Sequence, residues 1–224
     1  MLGSPRLHLR ATGSTNDRAR ALAAAGAPHG TLVTAGEQRS GRGRQGRTWS
    51  APAGQALLMS LVLRGDHALL PLAAAVAVAR ACGAAARIKW PNDVLVDGRK
   101  VAGILAEARP QAGWAVLGIG LNVAVRLGDL PAELRDTAGT LGLGPADVEP
   151  VLARLLGELD AALALAPDAL LAAYRERDAL AGRAVTWAGG RGAAAGIDAD
   201  GRLLVDLDGG GRTALDAGEV HLTR

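Results

Sequence analysis

Apolar and polar positions along the chain alternate between helix-like and strand-like periods. Residues 14–25 have helical spacing. Ser14-Thr15-Asn16-Asp17 reads as a capping box and Gly26 as a stop, which predicts a helix. Residues 31–37 and 55–63 read as strands, and 69–82 as an Ala-rich, largely buried helix. Between those strands, 39–47 has no apolar period and reads as a loop. Residues 87–90 form a strand fragment stopped by Pro91. The runs 94–97 and 100–107 flank Asp97-Gly98, a two-residue hairpin signal, and 114–125 is a further strand. Amphipathic helices are predicted over 148–165 and 167–177.

After Gly182 the period changes. Four short strands are predicted at 183–187, 192–197, 202–207 and 212–215, with turns at Gly189-Gly190, Asp200-Gly201 and Asp208-Gly209. A β-module of about forty residues buries little core alone and should lean on the larger unit. Hairpins mixed with helices predict an α+β fold rather than an alternating doubly wound one. The expected boundary separates a main domain, 1–180, from a C-terminal one, 181–224.

The length of 224 residues fits that division, and an apolar share of 49% with 21% charged residues excludes disorder and collagen. Net charge is +3, too small for general attraction to nucleic acid, so no nucleic-acid partner is expected. Cys82 is the single cysteine, and no Cys/His metal spacing is present. No apolar run reaches membrane-span length and no signal peptide is evident, so a cytoplasmic protein is expected. Residue usage is skewed: there is no Phe, and of 25 basic residues only Lys89 and Lys100 are lysines. Only Asn16, Asn92 and Asn122 are asparagines. Where Arg replaces Lys at indifferent sites, the surviving lysines mark positions that reject a guanidinium.

These rare residues fall in four motifs. Gly41-Arg42-Gly43-Arg44-Gln45-Gly46-Arg47 contains a formal G-x-G-x-x-G but leads into Thr48-Trp49 rather than an apolar helix. A dinucleotide site is therefore a poor reading. Alternating Gly and Arg suits a hinged loop that folds around an anion. Lys89-Trp90-Pro91-Asn92-Asp93 and Lys100-Val101-Ala102-Gly103-Ile104-Leu105 hold both lysines; Gly103 inside a strand suggests close approach of a ligand or another backbone. Gly118-Ile119-Gly120-Leu121-Asn122 opens backbone space beside an amide. Ser14-Thr15-Asn16 reads first as a helix cap. The inventory is an anion pocket of Lys, Arg and Asn without a nucleophile–His pair, suited to electrostatic stabilisation of phosphoryl or acyl transfer.

Taken together, the four motifs, with Gln38 and Trp49, resemble the biotin–protein ligases in order and spacing across nearly the whole chain. The resemblance implies a class II aminoacyl-tRNA synthetase-like catalytic domain followed by an SH3-like β-barrel. It implies activation of biotin by ATP, with Mg²⁺, to biotinyl-5′-AMP, then transfer to a lysine of a biotin carboxyl carrier protein. By position, Ser14, Thr15, Asn16, Gln38, Gly41, Arg42, Gly43, Arg44, Lys100 and Gly103 would surround biotin. Arg47, Trp49, Lys89, Asn92 and Asn122 would meet the nucleotide. Lys100 and Arg44 would be catalytic, and the metal ligands stay unassigned. Gln45 stands where many members have another Arg. Only thirteen residues precede Ser14, so the monofunctional class without a DNA-binding domain is expected. A lipoate–protein ligase and a non-catalytic biotin or adenylate sensor are the alternatives.

Overall fold

A computed structural model describes residues 1–65, 68–216, 218 and 220–223. Its larger unit is built on a seven-stranded sheet. In chain order the strands are β1 (Arg6–Leu9), β2 (Leu32–Ala35), β3 (Ala56–Arg64), β4 (Arg87–Lys89), β5 (Asp93–Val96), β6 (Arg99–Arg109) and β7 (Trp114–Asn122). They lie in the order β1-β2-β3-β7-β6-β5-β4, with β1 and β2 parallel and every other pair antiparallel. The parallel pair is joined through helix α1 (Thr15–Ala24), as a parallel pairing requires a crossover. Asp97 and Gly98 turn the β5–β6 hairpin with φ of 50° and 73°, the left-handed pair a two-residue loop demands.

One face of this sheet carries the main core. Leu57, Met59, Leu61 and Leu63 of β3 and Leu117, Ile119 and Leu121 of β7 all belong to it. The same core takes in α2 (Leu70–Cys82), packed on β4, β5 and β6, α3 (Val148–Leu163), packed on β3 and α2, and α4 (Pro167–Arg175), packed on α2 and β9 (Gly190–Ile197) of the C-terminal unit. Helix α2 is buried nearly all round, because sheet, α3 and α4 enclose it. The opposite face is covered only in part: α1 closes one end of it through Ala19, Ala23, Val33, Val62 and Val116.

The C-terminal unit is a five-stranded antiparallel sheet, β8 (Ala184–Trp187), β9 (Gly190–Ile197), β10 (Leu203–Leu207), β11 (Arg212–Leu215) and β12 (His221–Leu222), ordered β11-β10-β9-β8-β12. No pairing between β11 and β12 closes it into a barrel among the described residues. As expected, it leans on the larger unit. Val185, Ala194, Ile197, Leu203, Val205 and Val220 join the main core, and Arg175 donates to the carbonyl of Ile197 at 3.1 Å.

Candidate active site

The partly covered sheet face holds a cavity of about 580 Å³. Register explains its floor. Leu58, Gly120 and Gly103 lie side by side on β3, β7 and β6, and Ser60, Gly118 and Leu105 form the next row on the same face. Three of those six positions are glycine, so the sheet carries few side chains between the start of α1 and the mouth of the site. A Cβ at Gly120 would lie 2.4 Å from Trp49 Cε2, and one at Gly103 would lie 3.0 Å from Trp49 Cζ3. Trp49 therefore lies flat on this stripe, which explains the glycine inside β6.

Lys100 reaches the same stripe through an irregularity. Val94 pairs with Ala102 but Leu95 pairs with Lys100, so Val101 is an extra residue in β6. Strict alternation would place Lys100 and Gly103 on opposite faces. The bulge re-aims the lysine. Its Cε then lies 3.4 Å from a Cβ built at Gly103, and its ammonium sits 5.8 Å from the Trp49 ring centroid. Asp93 holds the ammonium, with Nζ to Oδ1 at 2.6 Å. The Lys100 backbone also pins the segment beyond β7: its N–H donates to Thr137 O and its carbonyl accepts from Gly139 N–H.

The polar end is built where α1 begins. Hydrogen bonds between 12–13 and 37–40 carry the β1–β2 pairing onward and set Gln38 beside the helix start. Ser14 occupies the cap position, but its side chain makes no capping hydrogen bond. Gln38 takes that role, its Oε1 accepting from Thr15 N–H at 2.7 Å and from the Thr15 hydroxyl at 2.9 Å. The capping-box expectation is corrected accordingly: the helix starts where predicted, but a side chain 23 residues on accepts from its first N–H. Ser60 donates from beneath toward Thr15 Oγ1 and Asn16 Oδ1, at 2.8 and 2.6 Å. Asn16 Nδ2 donates to Glu107 at 2.7 Å.

The Gly-Arg segment forms the remaining wall. Gly43 N–H donates to Arg47 O, and Gln45 takes a left-handed φ of 55° within a 3-10 turn, Arg44–Gly46. Arg42 pairs with Asp17 in the first turn of α1. Arg44 turns inward, donating to Asn92 Oδ1 at 3.4 Å. Burial lowers the Arg44 proton affinity below the ordinary arginine value; Asp93 opposes that and Arg47 adds to it. Asn92 in turn donates to Ile104 O at 2.9 Å. Asn122 is 3% exposed and donates to Gly139 O at 2.9 Å, while its Oδ1 and Trp49 Nε1 have no partner among the described residues.

Of the residues singled out from sequence, Ser14, Thr15, Asn16, Gln38, Arg42, Gly43, Arg44, Arg47, Trp49, Lys89, Asn92, Lys100, Gly103 and Asn122 all line this one cavity. Gly41 lies behind the wall, where its carbonyl accepts from Trp49 N–H at 2.9 Å and a side chain would strike Trp49 O. Sequence reasoning missed Ser60, Glu107 and the segment 134–138. Ser60 was the signal within reach, as the one polar residue in the apolar run 56–63. Among the described residues no group of three His, Cys, Asp or Glu side chains is placed to hold a metal, and no helix is long and apolar enough to cross a membrane.

Residues 9–123 match the model of the biotin/lipoate A/B protein ligase family, and residues 182–222 match the biotin protein ligase C-terminal domain. The chain belongs to the biotin/lipoate A/B protein ligase family. A biotin–[acetyl-CoA-carboxylase] ligase of Mycobacterium tuberculosis is 39% identical over 239 residues, covering 94% of this chain and 86% of that protein. The bifunctional ligase/repressor BirA of Bacillus spizizenii is 41% identical over 153 residues, 63% of this chain. The chain spans about half the length of the Bacillus relatives, 47% and 43% of their residues. Among solved structures, the biotin protein ligase of Aquifex aeolicus in complex with biotin and ATP superposes with a TM-score of 0.83 at 28% identity, covering 99% of both chains. This family membership fits the layout of the cavity, with a polar end, a cationic centre and a bare sheet floor.

Proposed function

We propose that this protein activates biotin with ATP and transfers it to a lysine of a biotin carboxyl carrier protein, working in the cytoplasm. One observation carries the reading: the β6 bulge brings Lys100 onto the glycine-floored face beside Gly103, in the same cavity as Thr15, Asn16, Gln38, Arg44 and Asn92.

Biotin would lie with its polar ring toward Ser14, Thr15, Asn16 and Gln38, and its carboxylate toward Lys100. The nucleotide would lie against Lys89, Asn92, Asn122 and Arg47. Asn122 Oδ1, without a partner among the described residues, is an acceptor suited to an exocyclic amine, and Trp49 would cover the junction. In the first step a carboxylate oxygen attacks the α-phosphorus, forming an O–P bond as pyrophosphate leaves. Carboxylate and triphosphate repel each other, and Lys100 and Arg44 offset that repulsion while the walls fix the line of attack. In the second step the carrier lysine amine attacks the acyl carbon and AMP leaves. Arg42, Gly43 and Arg44 would lie across the adenylate and keep water from it.

Among the described residues none form a magnesium cage on their own: Asp93, a carboxylate lining the cavity, is engaged by Lys100. Mg²⁺ would accordingly arrive as part of the MgATP substrate. We further divide the chain into a catalytic domain, 1–180, and a C-terminal domain, 181–224. This accords with the segment 176–183, which joins α4 to β8.

The test is to incubate purified protein with biotin, MgATP and a carrier domain, and to follow pyrophosphate release and carrier mass. Biotinylated carrier is expected. Transfer of lipoate alone, or adenylate formed without transfer, would overturn the reading.

A further inference from the structure

Glu107 stands outside the cavity wall, yet it determines what the wall offers. It lies on β6 two residues beyond Leu105, on the floor's own face. One carboxylate oxygen accepts from Asn16 Nδ2 at 2.7 Å, and the other accepts from Arg20 at 3.4 Å. Arg20 is itself held by Asp17 at 2.6 Å, and Asp17 also binds Arg42 of the Gly-Arg segment.

A carboxylate can only accept, so the end of the Asn16 amide facing it must be the NH₂. That turns Asn16 Oδ1 over Gly118 and toward Ser60. A Cβ at Gly118 would sit 2.0 Å from this oxygen, so the amide is pressed onto the floor. Ser60 has one hydroxyl proton and two acceptors in range, Asn16 Oδ1 at 2.6 Å and Thr15 Oγ1 at 2.8 Å. With Asn16 Oδ1 turned to it, the proton goes there. The Thr15 proton is already committed to Gln38 Oε1. Thr15 Oγ1 and Asn16 Oδ1 are then left facing the cavity as acceptors. If Asn16 were reversed, its NH₂ would face Ser60, and Ser60 would donate to Thr15 instead. The wall would gain the Asn16 NH₂ as a donor in place of the Asn16 oxygen, and Ser60 would occupy one lone pair of Thr15 Oγ1.

We propose that Glu107 is a positioning residue that fixes the polarity of the pocket's polar end, making it an acceptor for the N–H groups of a cyclic urea. This rests on the biotin reading above. Arg20 is the second half of the device, because it occupies the other carboxylate oxygen.

The test uses Glu107→Gln. Beside Arg20 the new amide turns its oxygen to the guanidinium and its NH₂ to Asn16, which reverses Asn16. Biotin affinity by titration calorimetry is expected to fall about 10- to 100-fold, the effect of mispairing a buried polar group. ATP affinity should stay within about 2-fold of wild type and kcat at saturating biotin within about 3-fold, sparing the remaining cavity. Adding Arg20→Ala to Glu107→Gln frees the amide oxygen to face Asn16 and should restore most of the biotin affinity. A residue that merely supports the fold would give a double variant no better than the single one. Unchanged biotin affinity in Glu107→Gln, or a double variant that binds biotin no more tightly than the single, overturns the proposal. Unaltered ATP binding shows that the variants are folded. If wild-type protein binds no biotin, the functional reading fails and this inference falls with it; if wild type binds and Glu107→Gln binds equally, only the inference fails.

Discussion

The two faces of the seven-stranded sheet are made from the same strands and behave as different materials. On one, β3 and β7 present Leu57, Met59, Leu61, Leu117, Ile119 and Leu121 to a helical layer that seals them. On the other, the same strands present Ser60, Gly118 and Gly120, covered by Trp49 and a cluster of hydrogen-bonded side chains. One face is close-packed, so its side chains matter through volume. The other is left bare, so its side chains matter through charge and hydrogen-bond direction. The difference teaches that the period-2 alternation of a strand can separate stability from chemistry at single-residue spacing.

The sharpest break of that comparison is a pair of substitutions that should not cross over. Lys100→Arg is expected to slow adenylate formation by about 10²–10³-fold, because a planar fork cannot replace the point donor, while leaving the unfolding midpoint in place. Leu117→Ala is expected to lower stability by about 2–5 kcal/mol while leaving kcat per folded molecule unchanged. Pyrophosphate release at a near-normal rate by Lys100→Arg, or a large kcat loss in Leu117→Ala, would erase the distinction between faces.

Much of this division is legible in the sequence, and what is missing has physical causes. The Asp97-Gly98 hairpin and helix α2 follow from local chemistry, two turn residues and a run of small apolar ones. Strand β1 does not: its four residues, three of them exposed, pair in parallel with a strand more than twenty positions on. The four motifs could be picked out by rare residues, but their convergence depends on register. Lys100 is the clearest case, since counting alternation from Gly103 sends it to the wrong face and only the bulge corrects it. The cap at Ser14 failed for the related reason that Gln38, brought in by tertiary pairing, took the helix N–H first.

A smaller effect tests whether bareness itself is what the open face requires. Gly118→Ala should destabilise by about 1–3 kcal/mol and weaken biotin binding, because the new methyl meets the held Asn16 amide. The same substitution at Gly157, exposed in the interior of α3 with nothing within 4 Å, should stabilise by about 0.5–1 kcal/mol. Chemical denaturation of both variants checks the opposite signs. Equal signs would mean that the glycines of the floor are ordinary strand glycines.

The sealed face has a flaw beside β4, where residues 177–179 pair with Ile88. The Tyr174 hydroxyl and Asp178 Oδ2 are buried without partners among the described residues. Burial raises the Asp178 carboxyl above its ordinary 3.8, against the pull of the Leu180 and Ala181 N–H groups. An acid whose folded value is raised keeps its proton to higher pH when folded. Its charge therefore costs stability as pH rises from 3.8 through the folded value, and the full cost is present at neutral pH. Asp178→Asn keeps the acceptor for Leu180 N–H and removes the charge. It should stabilise the protein by about 1 kcal/mol at pH 7, with the gain vanishing below the folded value. A gain independent of pH would assign the effect to packing instead.

The smallest expected effect lies where β1 meets α3, and it runs with the opposite sign. Arg6 binds Glu149 through both nitrogens, at 2.7 and 2.6 Å. The hydrogen bond from Arg6 lowers the Glu149 carboxyl below its ordinary 4.5, against partial burial, with the charges of Arg6 and His8 helping. A lowered acid stabilises the fold at pH values above 4.5 and loses that contribution as pH falls through the folded value. The carboxylate is 61% exposed, so water screens the pair and Glu149→Gln should cost only about 0.5 kcal/mol at pH 7. The difference should shrink in high salt and close in acid, where Asp178→Asn also converges on wild type. Thermal melts of the two variants against pH should therefore lie on opposite sides of wild type at neutral pH and meet it as the carboxylates are neutralised. If Glu149→Gln instead lay on the same side as Asp178→Asn, the edge pair would be a solvated contact, and β1 would be held by its backbone pairing with β2, its hydrogen bonds to Thr34 and the packing of Leu9.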